Sequence, residues 1–178
     1  NAAPGQQQQT EGGQRGGIRG HRKQLCLHPF APGEVGDRRH YQQCSQQDDF
    51  QPLLEKLADP DVAGLILSTP VYMGTMTSQG KAFIDRTVVF RRNGFMFKDK
   101  VGGVIAVGGS RNGGQELTIQ AAHAAMMIHD MIIVGDGDHF GGIAWGNHPD
   151  GYEGDSTGVK TARKLGEKVA HTVAKLNS

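Results

Sequence analysis

Between Leu67 and Arg86 the chain reads LSTPVYMGTMTSQGKAFIDR: an apolar run closing at Pro70, a turn at Gly74, then a helical pattern. Tyr72 and Met73 bring flat and polarisable surfaces to this junction, and Gly74 leaves backbone exposed beside them. That combination suits a planar heteroaromatic ring with hydrogen-bonding edges. A second candidate is GGSRNGGQE, residues 108–116. Its glycines let backbone N–H groups approach a ligand closely, and the helix that follows adds a partial positive charge suited to an anionic oxygen or an electron-rich carbonyl. The spacing is neither GxGxxG nor a P-loop, since no Gly-Lys-Ser/Thr follows, so a nucleotide phosphate is not the obvious guest. Each motif has a plainer reading. Glycine-rich strand-to-helix turns also serve purely structural ends, and Tyr72 and Met73 also suit core or rim packing.

Other reactive residues point less far. His129 and His139 are candidate titratable groups, although a histidine at a helix end also serves as a surface residue or a favourable C-terminal charge. Trp145, in GGIAWGNHPDGYEGD, suits either a ring-stacking lid or a contact between subunits. Ser110 has no nucleophile-elbow context. Asp136 and Asp138 do not meet the twelve-residue calcium-loop pattern. Cys26 and Cys44 are the two cysteines of the chain, too few for a disulfide scaffold and matching no compact metal motif by themselves.

The elements that must position these residues follow from periodicity. DDFQPLLEKLADP sets Phe50, Leu53, Leu54 and Leu57 on one helical face, with Asp48 or Asp49 available to cap and Pro60 to stop it. Residues 62–70 form a near-continuous apolar run, as in a strand buried on both faces. A helix over residues 77–90 follows, then a second buried strand over 100–109. A third helix begins near Gln115, a third strand spans 131–137, and a final helix spans 156–176. That last helix is expected to bury Val159, Ala162, Leu165, Val169, Val173 and Leu176. Alternating strands and helices with right-handed crossovers predict a doubly wound open α/β sheet. Ligands in such sheets bind beyond the carboxyl ends of the strands, so any site belongs to the loops at 69–77, 108–115 and 135–155.

Composition narrows the class. With 178 residues and 37% hydrophobic content, one domain with a sizeable core is expected. Nineteen basic against eighteen acidic residues leave a formal charge of +1, which does not support nucleic-acid binding. No apolar run approaches the roughly 20 residues of a membrane span and no signal-peptide core is visible, so a soluble, cytoplasmic protein with no membrane partner is expected. Residues 1–49 differ in character. Ten glutamines and eight glycines accompany four aliphatic residues, Ile18, Leu25, Leu27 and Val35, and neither periodicity fits.

TPVYMGTMTSQGKAFIDR, GGSRNGGQE and HDMIIVGDG, in that order and spacing, resemble the NAD(P)H-dependent FMN reductases of the flavodoxin-like superfamily. The branches most similar are the quinone reductases once called tryptophan-repressor-binding proteins and the iron-sulfur flavoproteins. The resemblance covers about Asp48 to the C-terminus. It implies one flavodoxin-like FMN-binding domain over residues 1–178, with about five parallel strands in the order 2-1-3-4-5 and helices on both faces. It implies an FMN-dependent oxidoreductase that passes electrons from NAD(P)H, as co-substrate, to a quinone or similar small acceptor. The alternative is an electron carrier of the flavodoxin or iron-sulfur flavoprotein kind without nicotinamide turnover.

By the same resemblance, Pro70, Val71, Tyr72, Met73, Gly74 and Thr75 wrap the isoalloxazine ring. Gly108, Gly109, Ser110, Arg111, Gly113, Gly114 and Gln115 cover its pyrimidine edge, and His129 lies on the acceptor side as the catalytic candidate. A homodimer or homotetramer is implied, with a neighbouring subunit completing the flavin face. Family members begin with a strand and a phosphate loop of which this chain keeps only Asn1, Pro4 and Thr10. The stretch upstream of Asp48 therefore reads either as altered by a frame or assignment error or as a divergent start. The phosphate is expected near Ala3, Pro4, Gln8, Gln9 and Thr10 in either case. Cys44 falls where the last of four cluster cysteines stands in iron-sulfur flavoproteins, but two cysteines cannot supply the four ligands of a [4Fe–4S] cluster.

Overall fold

The computed structural model describes residues 48–178. The expectations placed on Ala3, Pro4, Gln8, Gln9, Thr10, Cys26 and Cys44 lie outside the described residues. Five strands and six helices follow one another: α1 (Gln51–Ala58), β1 (Gly64–Tyr72), β2 (Thr75–Met76), α2 (Ser78–Arg86), α3 (Val88–Arg92), β3 (Val101–Gly108), α4 (Gln115–Ile128), β4 (Ile132–Ile133), β5 (Gly142–Trp145), α5 (Gly151–Gly154) and α6 (Ser156–Leu176).

β3 is the central strand. It pairs in parallel with β1 from Gly64↔Val101 to Pro70↔Val107, and on its other edge with β4 and then β5. Its alternation sends Val104 and Ala106 into the larger core beneath α1, α3 and α4, with Phe90, Phe97, Ile119 and Ala122. Val101 and the half-buried Ile105 turn to the opposite face, against Leu165 and Val169 of α6. The doubly wound α/β arrangement is therefore observed. The described strands supply the β1–β3–β4/β5 part of the expected order, and the rest of that expectation lies outside the described residues. One strand, β2, is antiparallel: it returns on β1 with the register Val71↔Met76 and Tyr72↔Thr75.

Three expectations are corrected. The strand predicted over 131–137 pairs only at Ile132 and Ile133; the chain then leaves β3 and rejoins it at Gly142, inside the segment read as a loop. The departure is held by buried Asp136, whose carboxylate accepts the backbone N–H groups of Asp138 and His139, a local turn that competes with the ladder. The helix predicted over 77–90 breaks at Thr87, whose hydroxyl donates to the Ile84 carbonyl at 2.6 Å and contacts Nε2 of His129 at 2.8 Å. On the amphipathic faces, Leu53, Val159 and Leu176 are exposed rather than buried, whereas Leu54, Leu57, Leu165 and Val169 are buried as read.

α1 carries Pro52 in its first turn, but its N-cap is Phe50 and no side chain caps it. Asp48 instead accepts the Phe50 N–H and grips the Arg86 guanidinium with both oxygens at 2.8 Å, tying α1 to α2. α6 starts as the sequence indicates, with the Asp155 carboxylate accepting from the Gly158 N–H.

Where the interrupted strand rejoins the sheet, a Cβ at Gly141 would collide with the Val104 carbonyl oxygen. Backbone on the central strand cannot step aside as a side-chain end can. Gly141→Ala is expected to lose at least about 2 kcal/mol of folding stability, read from urea unfolding midpoints.

Candidate functional site

The first loop is a tight hairpin. Met73 and Gly74 have φ of 51° and 78°, left-handed at both central positions, as required by the hairpin turns whose twist matches the flanking strands. Glycine adopts this freely; for Met73 it costs roughly 1 kcal/mol. The side chains at the tip do not pack inside, since Tyr72 is 63% exposed and Met73 is fully exposed. Beneath them buried Thr69 accepts the Thr77 N–H on its hydroxyl oxygen, and Thr77 in turn caps α2 by accepting from Gly80. The hairpin is thus held at its base and free at its tip.

The second loop runs from the end of β3 to α4. Gly114, with φ of 94°, occupies the N-cap, and no side chain caps the helix. Gln115, only 4% exposed, turns back into the loop. Its Oε1 accepts from Gly113 N–H at 2.7 Å, and its Nε2 donates to the carbonyls of Ser110 and Ala144 at 2.7 and 3.0 Å. A Cβ at Gly108 would overlap that amide. The Gln115 side chain is therefore a brace, fully engaged within the protein rather than presented to a ligand.

The third loop closes on the second. Trp145 pairs with Gly108 at the end of β5, donates its indole N–H to the Gly109 carbonyl at 3.1 Å, and has the Arg111 guanidinium 5.9 Å from its ring centre. Arg111 bonds to Asp155, which also accepts the Trp145 backbone N–H at 2.7 Å. Burial alone pushes the Asp155 carboxyl up, but the Trp145 N–H, Arg111 and the Gly158 N–H together hold it below its ordinary value. Sequence reasoning named Trp145 and Arg111 but missed Asp155 as their common partner. Its helix-start position before Ser156 was legible; its two distant partners were not.

The hairpin and the glycine loop meet. A Cβ on Gly114 would stand 3.4 Å from Val71 Cγ1 and 3.7 Å from the Gly74 Cα. Residues 70–75 and 108–115 therefore share the carboxyl edge of β1 and β3, with an uncapped helix N-terminus directed into it. His129 is not brought to this edge within the chain. It follows the C-terminus of the 14-residue α4, roughly 20 Å from Gly114 at 1.5 Å per residue. There it is buried against Phe97 and bonded to Thr87, with Nδ1 lacking a partner. Burial, and then Arg91, push its imidazole below the ordinary range. Elsewhere, a surface cavity of about 410 Å³ lies between Glu116, the 135–140 turn and Lys168.

Among the described residues no group of three or more His, Cys, Asp or Glu side chains is placed to hold a metal ion. No helix there is long and apolar enough to cross a membrane.

An open parallel sheet with its concave loops at the carboxyl edge defines the flavodoxin-like class. The same fold is seen in a flavodoxin, WrbA-like protein from Agrobacterium tumefaciens, at a TM-score of 0.59 and 24% identity over 72% of this chain and 74% of that one. Residues 12–145 match the NADPH-dependent FMN reductase family, and the chain belongs to it. That match begins well upstream of Asp48, where the resemblance read from the sequence starts. The chain is 49% identical over 122 residues to an iron-sulfur flavoprotein of Methanosarcina thermophila, covering 68% of this chain and 63% of the relative. It is 47% identical over 133 residues to an iron-sulfur flavoprotein of Methanocaldococcus jannaschii, covering 73% and 67%. An NAD(P)H dehydrogenase (quinone) of Paracoccus denitrificans is 38% identical over 112 residues, covering 60% of this chain and 49% of the relative. The chain thus spans about two thirds or less of these relatives' lengths.

Two outcomes are expected from solution experiments. Asp155→Ala removes the α6 cap and leaves the Trp145 N–H unpaired, so stability falls by at least about 2 kcal/mol. Because the native carboxyl lies low, its contribution is present above the ordinary value of 3.8 and is lost as pH falls below it, so the wild-type and variant urea midpoints should converge in acid. His123 and His129, both lowered by burial, take up protons in the unfolded chain before the folded one, so stability falls as pH drops below their ordinary 6.5. The double variant His123→Leu, His129→Leu should show a smaller drop in midpoint between about pH 7.5 and about pH 5.

Proposed function

We propose that this edge holds the isoalloxazine ring of FMN, and that the protein passes electrons from NADH or NADPH to a quinone or similar small acceptor. The observation that carries the reading is the joining of the exposed Tyr72–Met73 hairpin to the uncapped N-terminus of α4 at one sheet edge. A left-handed, fully exposed methionine stabilises nothing in the fold, and such outliers collect at ligand sites. Glycine at 114 keeps open the gap that a Cβ would narrow.

The residues fit the ring. Pro70, Val71 and Gly74 offer backbone to its edge, while Tyr72 and Met73 offer flat and polarisable faces. The first turn of α4 and the 108–115 backbone present N–H groups and a partial positive charge to its carbonyl side, favouring negative charge there. Gln115 and the Arg111–Asp155–Trp145 set do not touch the ring in this account; they keep the loop in place before it binds. FMN held by these residues would supply two-electron chemistry between a nicotinamide and a small acceptor. The phosphate is expected near Ala3, Pro4, Gln8, Gln9 and Thr10, outside the described residues.

The relatives named iron-sulfur flavoproteins favour a second reading, an electron carrier that binds FMN without nicotinamide turnover. Visible spectra recorded without oxygen separate the two. The reductase predicts a yellow protein that bleaches with NADH or NADPH and regains colour with a quinone. A flavin that stays oxidised under nicotinamide selects the carrier, and a colourless protein that takes up no added FMN defeats both. Gly114→Val, strained at its positive φ and filling the gap to Val71, is expected to raise the FMN Kd at least about tenfold, or about 1.4 kcal/mol, measured by flavin fluorescence quenching.

A further inference from the structure

We infer that Asn112 is a site of spontaneous deamidation through a succinimide, and that the side chain of Gln115 is the latch that holds this reaction in check. This rests on the geometry of the 108–115 loop and not on the flavin reading.

The chain has two Asn–Gly steps, Asn93–Gly94 and Asn112–Gly113. In each, the glycine carries no Cβ to shield its backbone nitrogen. That nitrogen can attack the side-chain carbonyl carbon of the asparagine before it, which is why asparagine is a labile residue. The N–Cγ bond forms, the Cγ–Nδ2 bond breaks, and ammonia leaves with the former amide proton. Water then opens the imide on one side or the other. Cleavage at Cγ leaves aspartate; cleavage at the backbone carbonyl leaves isoaspartate, with the chain running through Cγ. Water is the one co-reactant, and nothing is oxidised or reduced.

The two steps are guarded at different atoms. At Asn93 the carboxamide is held, its Nδ2 donating to the Val89 carbonyl at 2.7 Å. Asn112 is exposed in its turn, and among the described residues no hydrogen bond holds its carboxamide. There the nucleophile is held instead. Gly113 N–H donates to Gln115 Oε1 at 2.7 Å, while Gln115 Nε2 donates to the Ser110 carbonyl at 2.7 Å. In a closed β-turn the carbonyl of the first residue accepts the N–H of the last directly. Here a carboxamide stands between the two, one end on each, so the 110–113 turn is fastened by a side chain from outside it. The attacking nitrogen must give up its proton, and the neutral amide oxygen that accepts this N–H is too weak a base to take it. While the bond stands, Gly113 is a poor nucleophile.

What fastens the latch lies on another element. Gln115 is buried, and its Nε2 also donates to the Ala144 carbonyl of β5 at 3.0 Å. Releasing Gly113 by swinging the side chain away breaks all of these bonds together, so the open state is a minor one. The pace of deamidation in the folded protein therefore reports how often Gln115 lets go of the loop. Conversion places a new carboxylate just ahead of the uncapped N-terminus of α4, and isoaspartate also lengthens the turn by one backbone carbon. With a flavin at this edge, that charge would oppose negative charge on the carbonyl side of the ring.

Peptide mapping by mass spectrometry tests this on the full chain incubated at mildly alkaline pH, with fragmentation to assign the converted position. Asn112 is expected to gain the mass of an amide-to-acid conversion at least about tenfold more slowly in the folded protein than in urea. Gln115→Leu, which removes the carboxamide at similar size, should raise that rate in the folded protein at least about tenfold while conversion at Asn93 changes by less than about twofold. The Asn93 rate shows whether the variant stays folded, since global unfolding frees both steps. Hydrogen exchange decides without a variant: the Gly113 amide is expected to exchange at least about tenfold more slowly than an unstructured one. An Asn112 that converts as fast folded as unfolded, or that does not convert in urea, overturns the proposal. So does a folded Gln115→Leu protein that keeps the wild-type rate at Asn112, or a Gly113 amide that exchanges without protection.

Discussion

The structure depends on how closely helices can approach β3 from both sides. A Cβ on Gly102 would come within 3.0 Å of Met126 Sδ, and one on Gly103 within 3.1 Å of Leu165 Cδ1. Two adjacent glycines, facing opposite sides, let side chains of α4 on one side and α6 on the other settle directly against the β3 backbone. Both helices start at the carboxyl edge of the sheet, so their seating on β3 decides where Gly114 and Asp155 stand. The candidate site follows from that.

The site itself rests on buried supports beneath exposed side chains. Gln115 ties the loop backbone at Gly113 and Ser110 to the β5 backbone at Ala144. Asp155 joins the backbone N–H groups of Trp145 and Gly158 to the Arg111 guanidinium. Each is buried, and each satisfies donors or acceptors that would otherwise be orphaned. Holding a glycine-rich loop in one conformation before a ligand arrives removes ordering costs from binding. The exposed groups, Tyr72 and Met73, can then be few.

The buried histidines show the opposite economy. His123 Nε2, His129 Nδ1 and Thr118 Oγ1 lack partners, so α4 carries polar atoms on the inner face it packs against the core. His129 does have one clear structural task through Thr87, where the helix expected to run on to residue 90 divides into α2 and α3. Its position at the far end of α4 removes it from the sheet edge of its own chain.

Much of this was legible in the sequence alone because it is local. The period of apolar residues located β1, β3, α4 and α6, with α4 starting after the glycine turn. The alternation of strand and helix determined the α/β class and the edge on which a ligand loop must lie. Quoted motifs carried the family. Tertiary structure decided the rest. The last strand splits because buried Asp136 draws the chain into a turn before Gly141 can return it to Val104. Gln115 is a brace because its amide reaches Ala144 on a different strand, and Arg111 is engaged because Asp155 lies 44 residues away. Val159 and Leu176 stay exposed because only one narrow strip of α6 meets the sheet. Periodicity and capping act between near neighbours, so one chain's order reveals them; burial and long-range hydrogen bonding depend on which distant segments meet, and that exists only once the sheet has formed.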